Sequence, residues 1–177
     1  MNSVDQLNEV VTGKRVAVSF ENYVSVYQFD GKEYSLMIKE NFFDEGVDPD
    51  EAVSAAIKLF SRKDTSFIVY GKKNLMHVAK NYSLTIDAHT DDLLLIKYLT
   101  DFSGKEESLF DVMDFYGYDK NFPAYAIADL FDRFYNKADD KEKAIYNEME
   151  LPLAEVLFDT EEEGFKVDKD NLEKFLK

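Results

Sequence analysis

Few residues in this sequence could do chemistry beyond that of a folded core. Ser19 and Glu21 lie two apart in the run Val18-Ser19-Phe20-Glu21. On a strand that spacing puts both side chains on one face. Tyr125 and Asp129 stand four apart in Ala124-Tyr125-Ala126-Ile127-Ala128-Asp129, a spacing that shares one helical face. Taken alone, such a pair reads as a packed ring beside a solvated carboxylate. His77 and His89 could each serve as a general base, but each reads first as a surface or packing histidine. There is no cysteine, which excludes a disulfide scaffold, a thiol catalyst and a cysteine zinc site. Two histidines are too few for a multi-histidine metal centre. The densest basic spot is Gly71-Lys72-Lys73, too small for a nucleic-acid track, and no glycine-rich phosphate loop is present.

The elements that must position these residues fall into two halves. Ser3, with Gln6 three residues on, starts a helix carrying Val4, Leu7, Val10 and Val11 on one face. Three strands are expected next, over 15–20, 24–29 and 33–38. Asp30-Gly31 is the hairpin signal between the last two. Asp48-Pro49 opens a helix through Phe60. Thr65 to Tyr70 is almost wholly apolar, the pattern of a buried parallel strand. A short helix over 74–81, a strand over 83–86 and a helix from Asp91-Asp92 through Leu99 complete an α/β half. The remainder reads as helical: Leu109 to Tyr116 behind Ser108, Ala124 to Lys137 behind Pro123, and Asp140 to Glu163. A proline kink is expected near Leu151-Pro152, with Gly164 as the stop. A last helix is expected from Asp168 or Asp170. The aromatic stripes at Phe42-Phe43, Phe115-Tyr116 and Phe131-Phe134-Tyr135 read as core. Glu161-Glu162-Glu163 reads as a solvated helix end.

Composition narrows the function. The 177 residues suffice for one self-supporting core, and 45% hydrophobic content excludes intrinsic disorder. Asp and Glu number 36 against 21 Lys and Arg, a net charge of −15. A sequence-independent nucleic-acid coat carries the opposite sign. No apolar run spans a membrane and no signal peptide opens the chain, so a cytoplasmic protein is expected.

The C-terminal segment carries the clearest likeness to a known family. Glu150-Leu151-Pro152-Leu153, Val156-Leu157, Glu161, Gly164, Val167-Asp168 and Leu172 resemble bacterial DNA polymerase I, where the exonuclease domain runs into the polymerase domain. Tyr82-Ser83-Leu84 and Asp92 to Leu99 resemble the middle of its 3′–5′ exonuclease domain. Tyr125 with Asp129 resembles that domain's third motif, and Val18 to Glu21 falls where the first belongs. The resemblance spans essentially the whole chain. It implies a ribonuclease H-like fold, a mixed five-stranded sheet flanked by helices, with a helical C-terminal half. It also implies an exonuclease-like domain over 1–150 and helices over 151–177 leading toward a polymerase domain.

The family's exonuclease holds two Mg²⁺ or Mn²⁺ ions with four carboxylates. Here the first-motif aspartate is replaced by Ser19, and the second-motif aspartate falls at Leu75. No acid lies between Gly71 and Thr85, so that loss survives a slip of register. Glu21, Tyr125 and Asp129 remain as remnants of a catalytic site. Glu21 and Asp129 are expected to face each other across it, with at least one pKa raised. The resemblance therefore implies an inactive domain with no cofactor. Its role would be a structural platform for the polymerase domain of its parent in DNA replication and repair, with DNA bound through the parent. The alternatives are a weak metal-dependent 3′–5′ exonuclease on single-stranded ends and a free-standing acidic interaction module.

Overall fold

A computed structural model describes residues 1, 3–21, 23–39, 46–101 and 108–164. The helix expected from Asp168 or Asp170 and the Phe42-Phe43 pair lie outside these residues. Ser3 caps α1 (Val4–Val10), its hydroxyl accepting from the Gln6 N–H. β1 (Arg15–Ser19), β2 (Val24–Tyr27) and β3 (Glu33–Leu36) follow as an antiparallel meander. After α2 (Pro49–Leu59), β4 (Ser66–Val69) pairs parallel to β1. Then come α3 (Lys72–Asn81), β5 (Thr90–Asp92), α4 (Leu93–Thr100), α5 (Leu109–Tyr116) and α6 (Pro123–Lys137). The sheet order is β3-β2-β1-β4-β5, a mixed five-stranded sheet.

Alternation along the central strands sorts the core into two layers. Val16, Val18, Phe67 and Val69 face α1 and α2, against Leu7, Ala56, Leu59 and Phe60. Ala17 and Ile68 face the opposite layer, made by α4, α5 and α6 with Ile96, Val112, Ile127 and Phe134. Helix α6 lies across β1 on the strength of its apolar stripe Ala124, Ile127, Leu130, Phe131 and Phe134.

Two expectations are corrected. Residues 83–86 form no strand, and the fifth strand is Thr90–Asp92, with α4 beginning one residue later. The reason lies at the end of α3. Ser83 adopts φ +55, its N–H donates to the Lys80 carbonyl, and the Leu84 N–H donates to the Ala79 carbonyl. This is a helix C-terminal motif that turns the backbone inward to satisfy carbonyls rather than out into a ladder. The proline kink at Leu151-Pro152 is also absent. Helix α7 (Asp140–Ile145), a π turn (Tyr146–Glu150) and α8 (Leu151–Glu163) form one continuous helical run, in which the wide turn precedes the proline. Residue 150, the expected domain boundary, lies inside this run.

Asp92 joins the pieces. Its side chain is buried, with 2% exposure, and one carboxylate oxygen accepts from the Gly71 N–H (2.8 Å) and the Leu94 N–H (2.9 Å). The other accepts from the Lys72 N–H at 2.7 Å. Its own N–H donates to the buried Tyr146 hydroxyl, which in turn donates to Asp91. Burial pushes the Asp92 carboxyl up, and the three N–H donors and the Lys72 charge pull it back. One residue thus caps α4 and fixes the start of α3 through its side chain, and meets the π turn through its backbone N–H.

Asp92→Ala would strand three N–H groups in the interior, so a loss of roughly 3 to 5 kcal/mol is expected from urea unfolding. Asp92→Asn keeps an acceptor oxygen and should lose about half as much. A loss below about 1 kcal/mol in the alanine variant would show that water replaces the carboxylate at little cost.

Candidate functional site

The parallel strands β1 and β4 end side by side, the edge of an α/β sheet where ligands commonly bind. A cavity of about 850 Å³ opens there. Ser19 and Glu21 line it from the end of β1. Tyr70 and Gly71 follow β4, and Lys73, Asn74 and Leu75 come from the first turn of α3. Leu94, Ser108, Leu109 and Ile127 close it from the helical layer. Gly71, at φ +84, makes the strand-to-helix turn that brings α3 over the cavity.

The cavity joins some of the expected residues and not others. Ser19 is buried and its Oγ accepts from the Glu21 N–H at 3.4 Å. Leu75 is also buried, and its isobutyl group packs into the α1–α2 layer. Tyr125 and Asp129 do not line the cavity, which corrects the expectation that Glu21 and Asp129 face each other across it. Helix α6 turns its apolar stripe to the sheet, so the position reaching the cavity is Ile127. Tyr125 and Asp129 fall on the solvent face of the same helix. The Tyr125 ring meets Tyr27 edge-on at 5.3 Å, and its N–H donates to Glu33 at 2.7 Å. Asp129 accepts a hydrogen bond from the Tyr118 hydroxyl. Burial of Tyr118 and the bond to Asp129 push the phenol well above its ordinary range.

Glu21 is the single carboxylate on the cavity wall among the described residues. Its pKa is raised from 4.5, and the cause is burial alone, with no part played by a neighbouring acid. A two-ion centre needs several hard oxygen donors of negative charge to offset two dications. One carboxylate, three hydroxyls, an amide and an ammonium group do not fit that requirement. No group of three or more His, Asp or Glu side chains is placed to hold a metal ion among the described residues.

Helix α3 is held by partners distant in sequence. Lys72 Nζ donates to Glu155 at 2.7 Å, and Lys73 Nζ to Glu161 at 2.6 Å. His77 stands between Glu161 and Glu162, with ring nitrogens 2.8 and 2.9 Å from the two carboxylates, and Lys80 also pairs with Glu162. The His77 ring meets Phe158 edge-on. Glu161 and Glu162 therefore clasp α8 to α3 rather than forming a solvated end, and Lys73 and Lys80 hold Glu161 and Glu162 within that clasp. The only local signal was the spacing of Lys73, His77 and Lys80 on one helical face.

Comparison with known proteins locates the fold. No family model matches the chain, and no curated protein matches it. Nine chains of solved structures do. One is described as the POL domain of Pol1 from M. smegmatis in complex with DNA primer-template and dNTP. The TM-score is 0.68 at 20% identity, and the match covers 97% of this chain and 32% of that one. The chain thus spans about a third of that neighbour's length. At this identity the likeness is one of fold. No helix among the described residues is long and apolar enough to cross a membrane.

Because Glu21 is raised by burial alone, Asp129→Ala should leave its titration unchanged, as read by carboxyl NMR. The stability Glu21 contributes is complete below 4.5 and is lost as pH rises through its folded value. Glu21→Gln should remove that loss. A Glu21 midpoint that moves in Asp129→Ala would place the two carboxylates in one site after all.

Proposed function

We propose that the chain is the 3′–5′ exonuclease-like domain of a DNA polymerase I, ribonuclease H-like in fold and catalytically inactive. Its role is a structural platform for the polymerase domain of the same parent. In this reading residues 1–150 are the exonuclease-like unit and 151–177 lead toward the polymerase domain. The observation that carries it is the cavity at the ends of β1 and β4, whose wall bears Glu21 as its one carboxylate. Ser19 and Leu75 stand there where the family has acids. The likeness in fold to part of a polymerase I chain supports the parentage. The helical half fits a platform, because three lysine–carboxylate pairs and two contacts of His77 join α8 to α3. DNA would be held by the parent, since a net charge of −15 repels phosphate.

The site could then neither load two metal ions nor generate a nucleophilic water through them. Tyr125, Asp129 and Glu21 would be remnants, the first two now structural on the solvent face of α6.

Purified chain should leave 5′-labelled single-stranded DNA at full length in Mg²⁺ or Mn²⁺. Shortening that disappears in Glu21→Gln would overturn the inactive reading. The paired change Ser19→Asp with Leu75→Asp sets three carboxylates around one cavity. It should bind Mn²⁺ in calorimetry where the unaltered chain gives only background heat. Silence from the double variant, with its fold intact by circular dichroism, would count against a former metal site at this place.

A further inference from the structure

A second open cavity lies on the far side of α3, between residues 83–87 and the last turns of α8. It measures about 930 Å³. Its floor is apolar: Met76 and Ala79 from α3, Leu84, Ile86 and Phe158. Leu84 is held there by the turn at Ser83, and Phe158 by the His77 ring. Its rim is acidic. Glu162 is paired with Lys80 and contacts His77, but Asp87, Asp159 and Glu163 pair with no cation among the described residues. An apolar floor with surplus negative charge around it fits a segment with apolar anchors and flanking lysines.

The sequence directly after α8 has that chemistry. It reads Phe165-Lys166-Val167-Asp168-Lys169, and four lysines face three acids between 165 and 177. Glu162 and Glu163 are themselves groove residues, so the segment starts at the groove mouth. A residue extends the chain by about 3.3 Å, which puts Phe165 and Val167 within reach of the floor. Gly164 has φ +66 and ψ 176, a backbone region open essentially to glycine alone. There the chain leaves the helix axis instead of prolonging it. A second copy of the chain is a poor occupant, because it brings a net charge of −15 to an acidic rim.

We propose that this groove is the docking site of the segment that follows α8, residues 165–177 of the same chain, with Phe165 and Val167 as its anchors and Lys166 and Lys169 on the acidic rim. The proposal stands apart from the polymerase reading. Nothing in it requires a polymerase domain or a lost metal centre.

The absence of cysteine makes a direct test possible, since two introduced thiols are the only ones in the chain. Leu84→Cys with Val167→Cys joins the groove floor to the segment. Thr160→Cys with Val167→Cys joins the segment to an exposed position on α8 outside the groove and closer in sequence. Under mild oxidation the groove pair should close intramolecularly at least about 10-fold faster than the control, because docking raises the effective concentration of the two thiols. Adding Phe165→Asp should bring the groove pair down to the control rate. Met76→Cys with Val167→Cys repeats the measurement should Leu84→Cys lower the melting temperature. Equal rates, or a faster Thr160 pair, would overturn the proposal. So would disulfide-linked dimers as the main product, which would assign the groove to a second copy.

Discussion

The buried carboxylate of Asp92 is the constraint on which the rest of the molecule depends. Three backbone N–H groups from two helix starts converge on it, and nothing else among the described residues accepts from them. The first turn of α3 has no side-chain cap of its own. Its place above the sheet edge is therefore dictated from β5, a strand only three residues long. Since α3 carries Lys72, Lys73, His77 and Lys80, the same carboxylate decides where α8 lies. The cavity wall formed by Gly71, Asn74 and Leu75 follows from it too.

Much of the sheet was legible in the sequence because its signals are local. The hairpin at Asp30-Gly31, the apolar run before Tyr70 and the caps at Ser3, Asp48 and Ser108 each report on neighbours within a few residues. The strand expected at 83–86 went astray because a Leu-Thr-Ile run has the right residue types for a ladder. The deciding influence was the preceding helix end. Thr90–Asp92 carries little strand propensity and pairs because β4 presents a free parallel edge to it.

The site was legible in part. Ser19, Glu21 and Leu75 line one cavity. Tyr125 and Asp129 do not join them. The (i, i+4) rule says that two residues share a face, but not which way that face points. Direction was set by Ile127, Leu130, Phe131 and Phe134, whose burial outweighs any preference of one exposed acid. The α8 clasp was invisible because its partners stand more than 80 residues apart.

The π turn at 146–150 gives the helical run one place where a residue can be lost without turning the rest. A π turn holds one residue more than an α turn, and so resets the angular phase of everything after it by about 100°. In the present phase Tyr146 points at Asp91 and Asp92, while Ala154, Glu155, Phe158 and Glu161 point at α3 or the sheet. Loss of one residue between Tyr146 and Glu150 would let the turn relax to an ordinary helix. It would shorten the run by almost nothing and leave the acidic partners of Lys72 and Lys73 facing their lysines, because the lost residue and the lost lag in phase cancel. Within the π turn a single-codon deletion is silent in angle, whereas the same deletion further along α8 turns the surface that follows by about 100°.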